Sequence, residues 1–273
     1  MNDLHLPAPP LRPFVEGYWQ RRGVYEPERK VRVMADACTK IIFELVPMPW
    51  PSSYVIATQL LPIVVTLSGN TDRIGIRFRP AMAGFFLGRP LDGLEGGVTR
   101  LSDIGIDDEA LVQRLRGAEE LAERAAVLDE WLLARWAALK PDPARVEETT
   151  RLSKSVLRGL SPRELADAMG WSERRLQRVC RERFGASAAG LHRFFRFECL
   201  QKRLSGAPAE LAVLAAELGF ADQAHMAREF RVFAGCTISS CLRERAAVGN
   251  LQDAGGWLPV LRRAEESALW SDV

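Results

Sequence analysis

The spacing of apolar residues changes along the chain, and each spacing predicts a different kind of element. Between residues 14 and 88 the apolar residues form short β-branched runs that are separated by Pro, Gly, Asn and Asp, which predicts strands. The runs are IIFEL (41–45), SYVIA (53–57), PIVVTL (62–67) and RIGIRF (73–78). Asn70–Asp72, directly after Gly69, is rich in turn-forming residues, so we predict a hairpin turn between the last two strands.

Residues 107–139 have a helical period instead. Apolar residues recur every three or four positions with charges between them: Leu111, Leu115, Leu121, Ala125, Leu128, Leu132 and Leu133. This pattern predicts either one helix that is broken near Gly117 or a pair of helices. PDPAR (141–145) is the best candidate for a linker, and residues 146–246 have the pattern of helices separated by Gly and Pro.

The C-terminal part repeats itself at an offset of 49–50 residues. Gly170-Trp171 recurs as Gly219-Phe220, and Leu176 recurs as Met226. The basic and turn residues recur as well: Arg178, Arg181, Gly185 and Ser187 become Arg228, Arg231, Gly235 and Thr237. Each copy predicts an apolar helix, a turn that contains Gly, and a second helix with basic residues on its outer face.

Capping signals mark the ends of the helices in the first copy. Ser161-Pro162-Arg163-Glu164 combines a Ser N-cap, a Pro at the first helical position and a Glu that completes a capping box. Gly170 ends this helix, and Ser172 caps the next one. In the second helix of each copy the apolar residues share one face: Leu176, Val179, Cys180 and Phe184 in the first, and Met226, Phe230 and Phe233 in the second.

The opposite faces of these second helices carry Arg, Gln and Ala. The residues are Arg174, Arg175, Gln177, Arg178 and Arg181 in the first copy, and Gln223, Ala224, Ala227 and Arg228 in the second. One charged face is usually only solvated, but two copies, each following a tight Gly turn, are typical of helix-turn-helix units that place a recognition helix in the major groove. Arg suits guanine and Gln suits adenine. The apolar segment Leu191–Leu204 would hold the copies rigidly enough to meet successive grooves ~34 Å apart.

Residues 161–245 resemble the DNA-binding part of the AraC/XylS family of bacterial transcription regulators. LADAMGWSERRLQRVCRERFGAS is similar to the family's first unit, and AAELGFADQAHMAREFRVFAGCT to its second, including the GF-x-D-Q run. The resemblance implies that Arg174, Gln177 and Arg178 read bases in the first unit, and that Gln223, Ala224, Ala227 and Arg228 do so in the second. The usual Pro and Tyr after the second unit are Ile238 and Cys241 here, and small alanines stand at 224 and 227. The second unit is therefore expected to contact mainly phosphate.

The N-terminal part is similar to a small regulatory domain of some members of this family. LRPFVEGYWQ (11–20) and GIRFRPAMAGFFLGRPL (75–91) carry this resemblance, while Ala35-Asp36-Ala37-Cys38 stands where relatives have a Pro-Asp-Gly turn. The apolar residues here have two interpretations. They either form the core of a small β domain or line a ligand pocket, whose candidate residues are Trp19, Phe43, Arg77, Phe78 and Phe85, with Arg77 or Arg79 holding an anion.

These patterns predict an α+β protein. A small β-rich regulatory or ligand-binding domain (1–106) is followed by a helical connector (107–145), an all-α double helix-turn-helix domain (146–248) and a tail (249–273). Of the net charge of +2, residues 147–248 carry +5, from 17 Lys and Arg against 12 Asp and Glu, which leaves −3 for the rest. A basic C-terminal part agrees with nucleic-acid binding.

Several functional classes are disfavoured by residues that the chain lacks. The only histidines are His5, His192 and His225, so residues 6–191 offer no Ser–His–Asp, Cys–His or His-based metal site. We therefore expect no enzyme activity, no cofactor and no metal. Cys180 and Cys199 are expected in the core, whereas Cys236 and Cys241, five residues apart, are either ordinary residues or a metal or redox pair.

The cell compartment and the partners follow from the same composition and resemblance. No membrane-length apolar run and no secretory signal are present, so we expect a cytoplasmic protein without a membrane partner. The resemblance implies double-stranded DNA and RNA polymerase as partners, with a small-molecule effector as a further option. An alternative is a ligand-binding or partner-binding protein whose DNA-binding domain has degenerated.

Two further expectations concern assembly and the tail. We expect a homodimer held partly by Leu121, Leu128 and Leu132, unless these leucines pack against their own β domain. The tail is too apolar to stay exposed, because it contains Trp257, Leu258, Leu261, Leu269 and Trp270. It either completes the core of the second unit or bridges the two domains.

Overall fold

The computed structural model describes residues 4–33, 35–46, 53–94, 97–204 and 210–248. Its N-terminal part contains a five-stranded sheet built from β1 (Val15–Val33), β2 (Lys40–Glu44), β3 (Ser53–Ile56), β4 (Ile63–Phe78) and β5 (Val98–Arg100). The strand order is β1-β4-β2-β3-β5, and every neighbouring pair is antiparallel. The short helix α1 (Gly84–Leu87) follows β4.

The predicted hairpin at Asn70–Asp72 is wrong, because β4 runs through these residues without turning. Asn70 pairs with Val24, and Asp72 pairs with Arg22 on the 19-residue strand β1. Gly69 does adopt a left-handed conformation, with φ of 63°, but it lies where the pairing with β1 is irregular between Tyr25 and Arg29. The local turn signal thus belongs to an irregularity of the ladder, since β1 supplies a partner on both sides of it.

Two helices, α2 (Glu109–Gly117) and α3 (Leu121–Leu139), cover the sheet. Of the two predicted alternatives, the helical pair is the one observed, since the chain becomes extended at Ala118 directly after Gly117. The leucine face of this pair is part of the same core as the sheet, so the segment predicted as a connector packs as part of the N-terminal domain. Leu128 and Leu132 are fully buried there, so the prediction that they hold a dimer is wrong.

Buried polar contacts fix α3 on the sheet. The Arg124 guanidinium, which is 1% exposed, donates to both carboxylate oxygens of Asp72 at 2.6 and 2.8 Å. The Tyr18 hydroxyl donates to Asp129 at 2.6 Å, and the same carboxylate accepts from the amide of Ala8. A buried guanidinium is tolerated only with such partners, so these bonds define one seating of α3 on β1 and β4.

Seven helices form the C-terminal part in the residues that the structure describes. They are α4 (Pro143–Leu157), α5 (Pro162–Met169), α6 (Glu173–Phe184), α7 (Ala188–Leu204), α8 (Leu211–Glu217), α9 (Gln223–Ala234) and α10 (Ile238–Val248). Aromatic rings of α7 and α9 make up much of its core, with Phe197 stacked on Phe233 at 5.3 Å and edge-on to Phe230 at 5.4 Å. The segment Leu191–Leu204 lies within the single helix α7, as predicted.

Two expectations remain, one on membrane-spanning helices and one on the C-terminal tail. No helix within the described ranges is both long enough and apolar enough to cross a bilayer. The tail, residues 249–273, lies outside the described residues, so its docking stays a prediction.

Candidate nucleic-acid interface

The first helix-turn-helix unit consists of α5, the turn at Gly170 and α6. The Ser161 hydroxyl accepts from the amide of Glu164 at 3.3 Å, and the Glu164 carboxylate accepts from the amide of Ser161 at 2.7 Å, which completes the predicted capping box. Gly170 turns the chain with φ of 65°, and the Ser172 hydroxyl then caps α6 by accepting from the amide of Arg175. The start of α6 is thereby set by the local sequence.

The second unit repeats this construction with α8, the turn at Gly219 and α9. Gly219 has φ of 71°, and the Asp222 carboxylate caps α9 by accepting from the amide of His225 at 2.5 Å. Met226, Phe230 and Phe233 are buried, as their spacing predicts. The same sequence pattern thus produces the same local geometry twice.

Most of the predicted DNA-contacting side chains lie on the surface. Gln177 is half-buried, and the others are exposed: Arg174, Arg175, Arg178 and Arg181 on α6, and Gln223, Ala224, Ala227 and Arg228 on α9. The two faces therefore present five guanidinium groups and two carboxamides, side-chain types that bind phosphate oxygens and base edges.

Two of these arginines are already paired within the protein. Arg175 donates to Glu148 of α4 at 2.7 Å, and its guanidinium lies 4.7 Å from the centre of the Trp171 ring. Arg178 donates to Glu182, one turn further along α6, at 2.8 Å. The Arg178 pair is exposed and therefore weak, whereas Arg175 is held by both a carboxylate and a ring.

Sequence reasoning missed two arginines that connect α7 to the second unit. Arg193 donates two hydrogen bonds to Glu229 of α9, both at 2.8 Å, and this bonding holds the pKa of Glu229 below its usual value. Arg196 donates to the carbonyl of Gly219 in the turn and stacks on Phe220 at 4.5 Å. The signal was available, because Arg193 and Arg196 are two cations three residues apart among the buried phenylalanines of α7, and such cations need partners.

The five candidate ligand-binding residues of the N-terminal domain lie in different surroundings. Phe43 and Phe78 are fully buried in the core, Trp19 packs against Gly75, and Phe85 lies edge-on to Trp136. An open pocket of about 540 Å³ lies instead against Ser102–Glu109, and none of the five residues lines it.

Arg77 is engaged by carboxylates of its own domain. It donates to both oxygens of Asp36 and to Glu16, the latter at 2.5 Å, while Lys40 lies 2.5 Å from Asp36. Burial by itself would raise the pKa of Asp36, but Arg77 and Lys40 outweigh it and hold that pKa well below its usual range. Since its charge is compensated internally, Arg77 is not free to hold an anion, and this part of the ligand-pocket hypothesis needs correction.

The cysteines fall into two groups. Cys236 and Cys241, on either side of the start of α10, are joined as a disulfide. Cys38 and Cys180 are buried, and burial raises the pKa of both thiols, while Cys199 is half-buried. Within the described part of the chain, no three His, Cys, Asp or Glu side chains lie close enough together to hold a metal ion.

Two family models match the chain. Residues 165–244 match a model described as a helix-turn-helix domain, which spans both units. Residues 3–99 match a domain of unknown function (DUF6597), which spans the sheet. No curated protein sequence matches the chain.

Solved structures with a distant likeness include those of ToxT from Vibrio cholerae. One has 11% identity and a TM-score of 0.43, and the match covers 83% of this chain and 98% of that chain. A ToxT structure bound to (E)-4-(8-methylnaphthalen-1-yl)but-3-enoic acid has the same values. A ToxT structure bound to an unsaturated fatty acid has 12% identity, a TM-score of 0.36 and coverage of 82% and 90%.

Proposed function

We propose that this chain, whose residues 165–244 are a helix-turn-helix domain of the AraC type, is a sequence-specific DNA-binding regulator of transcription that inserts α6 and α9 into successive major grooves. The observation that carries the proposal is the paired construction. Each unit exposes the start of its recognition helix beside a tight Gly turn, and the single helix α7 joins the units. One such helix would be weak evidence, but two copies joined by one helix are the arrangement expected of a protein that reads two successive major grooves.

The two units are assigned different shares of the recognition. Arg174 and Arg178 are exposed on α6, Gln177 lies half-buried between them, and all three side-chain types suit base edges. The second unit offers Gln223 and Arg228, because Ala224 and Ala227 are too short to hydrogen-bond a base. Base specificity therefore resides mainly in α6, and α9 contributes mostly phosphate contacts and the apolar contact that an alanine can make with a thymine methyl.

We assign Arg175 a positioning role as well as a DNA contact. Its pairing with Glu148 and its stacking on Trp171 hold the guanidinium beside α4, so we assign its DNA contact to phosphate and not to a base edge. Arg181, one turn beyond Arg178, is exposed and is assigned to phosphate in the same way.

The N-terminal domain is assigned to regulation. The support is its separate core together with its direct contacts to the DNA-binding helices, which provide a physical route for a signal. This assignment leaves three partners to be tested: a small-molecule effector, RNA polymerase and a second copy of the chain.

Binding of the full chain to a mixed-sequence duplex over a salt series tests the proposal. If the chain contacts about six phosphates, its affinity should fall roughly a thousandfold between 50 and 200 mM salt, because each contact releases counterions. Selection from a random duplex library should then enrich one site, which a footprint upstream of the neighbouring operon would place on the chromosome. Negligible, salt-insensitive binding would instead favour the degenerate-domain alternative.

A further inference from the structure

One arginine at the start of α6 is bound by the protein itself. Arg175, the third residue of α6, donates to a carboxylate oxygen of Glu148 at 2.7 Å, and its guanidinium lies 4.7 Å from the centre of the Trp171 ring. Its side chain is nevertheless 49% exposed, so a phosphate can reach the guanidinium from solvent. Two anions therefore compete for this cation: the carboxylate on α4 and the DNA backbone.

The carboxylate of Glu148 has a second arginine partner, so that the loss of Arg175 would not leave it unpaired. Arg183 donates to the other carboxylate oxygen, and its side chain is only 10% exposed. An ion pair that loses one partner costs stability when the remaining charge is left alone in the protein. Because Arg183 stays on Glu148, the bond to Arg175 is the exchangeable one of the two.

The second unit is built with the opposite polarity at this place. His225 stands at the position of Arg175 in the repeat, and its ring lies edge-on to Phe220 at 5.6 Å. The ion pair between the supporting helix and the recognition helix consists here of the cation Arg193 on α7 and the carboxylate Glu229 on α9. Within the described part of the chain, a carboxylate of a supporting helix thus binds a recognition-helix arginine in the first unit, to which we assign base specificity.

A specific complex and a random one differ in how well they place a phosphate beside this arginine. Base contacts fix the register of the duplex against the recognition helix, so each phosphate of a specific site stays in one position. On mixed-sequence DNA the register is not fixed, and the attraction to phosphate is sequence-independent. A charge-assisted hydrogen bond to a guanidinium depends on geometry, so a fixed phosphate competes with Glu148 far better than a phosphate without a fixed position.

We propose that Glu148 is a specificity-determining residue of the first unit: it withholds the Arg175 guanidinium from random DNA and yields it to the phosphate that specific binding brings into place. This inference rests on the proposed function. Glu148 touches no DNA in this scheme and acts through Arg175, so it is a positioning residue. Random sites lose one contact while the specific site keeps it, and specificity is this difference in affinity.

Two arginines of α6 supply a matched pair of variants for the test. Arg181 is exposed, makes no ion pair among the described residues and is assigned to phosphate. Arg181→Gln should weaken binding to the selected site and to mixed-sequence duplex alike, and should make both salt slopes shallower by about one. Arg175→Gln should weaken binding to the selected site about tenfold with the same change of slope, while affinity and slope on mixed-sequence duplex stay unchanged.

A double-substitution cycle measures the withholding itself. Glu148→Gln should raise the affinity per folded molecule for mixed-sequence duplex by about fivefold, because the freed guanidinium gains a phosphate. In the Arg175→Gln background it should raise that affinity no more than Glu147→Gln does, which removes the same charge one residue earlier at an exposed position. A merely structural role of Glu148 would instead lower the affinity in both backgrounds.

The outcomes separate this inference from the proposed function. If Arg175→Gln weakens binding to both duplexes equally, or to neither, the withholding role is refuted, and this comparison does not require Glu148→Gln to fold. Equal gains from Glu148→Gln in the two backgrounds would refute it as well. If no site can be selected from a random library at all, the proposed function itself fails.

Discussion

The carboxylate of Glu148 on α4 accepts from Arg175 and also from Arg183, so a single side chain ties the recognition helix of the first unit to the preceding helix. Arg183 is 10% exposed, and its Nε and Nη1 atoms have no hydrogen-bond partner among the described residues. Glu148 is therefore its main electrostatic compensation. This relationship makes the seating of α6 depend on the carboxylate of Glu148, which is half-buried.

Replacing that charge should destabilise the first unit. Glu148→Gln should lower the free energy of unfolding by about 1–3 kcal/mol, because Arg183 is left buried without an anion. The adjacent Glu147→Gln, at an exposed position, is the matched control and should have little effect. Urea unfolding of the three proteins at pH 7 gives the comparison, and equal stability of Glu148→Gln and the original chain would contradict it.

The same residue predicts a loss of stability in acid. Burial tends to raise the pKa of Glu148, but Arg183 and Arg175 outweigh it and lower that pKa below its usual value. The stabilisation is therefore complete above the pKa of an unfolded Glu and is lost as the pH falls through the lower, folded value. Between pH 6 and 3, Glu148→Gln should lose less stability than the original chain, and identical slopes would remove the ion pair as the cause.

Arg178 should discriminate between specific and random DNA. Arg178→Ala should cost about 1–3 kcal/mol on the selected site and much less on mixed-sequence duplex, because a base contact is lost. The exposed pair with Glu182 adds little to stability, so the fold should be unaffected. Arg114→Ala, which removes an exposed arginine of α2, controls for charge. Equal losses on both duplexes would mean that Arg178 contacts only phosphate.

Glu198 on α7 should make the domain contact sensitive to pH. Burial, followed by the charge of Asp36, raises the pKa of Glu198 to about 7, while Arg77 and Lys202 oppose and Glu16 adds to the rise. Since the folded pKa lies above the unfolded one, stability is fully present below about pH 4.5 and declines as the pH rises through 7. The free energy of unfolding of Glu198→Gln should therefore exceed that of the original chain at pH 8 by about 1–3 kcal/mol, and the two proteins should differ much less at pH 5.

The exposed Glu210→Gln is the control for that experiment and should match the original chain at both pH values. A Glu198→Gln variant that is less stable at pH 8 would show that the carboxylate is stabilised by Arg77 and Lys202.

Because the leucines Leu128 and Leu132 of α3 are buried, we expect their replacement to lower the stability of the fold and to leave the oligomeric state unchanged. Leu128→Ala should cost about 2–5 kcal/mol, because it leaves a cavity in the N-terminal core, and the molar mass from light scattering should not change. Leu133→Ala, at a position 39% exposed, is the control and should cost much less. A homodimer remains a prediction, and a monomer at tens of micromolar without DNA would refute it.

Truncation after Gly249 separates the two roles of the apolar tail. If the tail completes the core of the second unit, the shortened chain should melt as one destabilised unit, with unchanged DNA affinity per folded molecule. If the tail bridges the domains, the shortened chain should melt in two steps and its DNA affinity should change. An unaltered melting temperature would contradict docking altogether.

Local signals in the sequence sufficed for the C-terminal domain. Three side chains cap the starts of helices by accepting from amides three residues ahead: Ser161, Ser172 and Asp222. The turn of each unit is formed by a left-handed glycine, Gly170 or Gly219. Because all of these interactions are local, the sequence pattern was enough to predict both helix-turn-helix units. The repeat at 49–50 residues then implied two equivalent surfaces. The outward placement of the arginines followed from the helical period, because apolar residues claim the other face.

Tertiary structure decided what depends on a distant partner. Asn70–Asp72 has turn chemistry, yet it stays in β4 because β1 pairs with β4 on both sides of the irregularity at Gly69, and a local motif contains no information about that distant strand. Arg77 was a candidate anion site until Asp36, 41 residues away, proved to neutralise it. The amide of Leu91 donates to the carbonyl of Glu182 near the end of α6, and the amide of Ala35 donates to the carbonyl of Phe233 near the end of α9. The sequence could not predict these two bonds, because every residue except proline has the same backbone amide and these amides meet their acceptors only when the two domains pack.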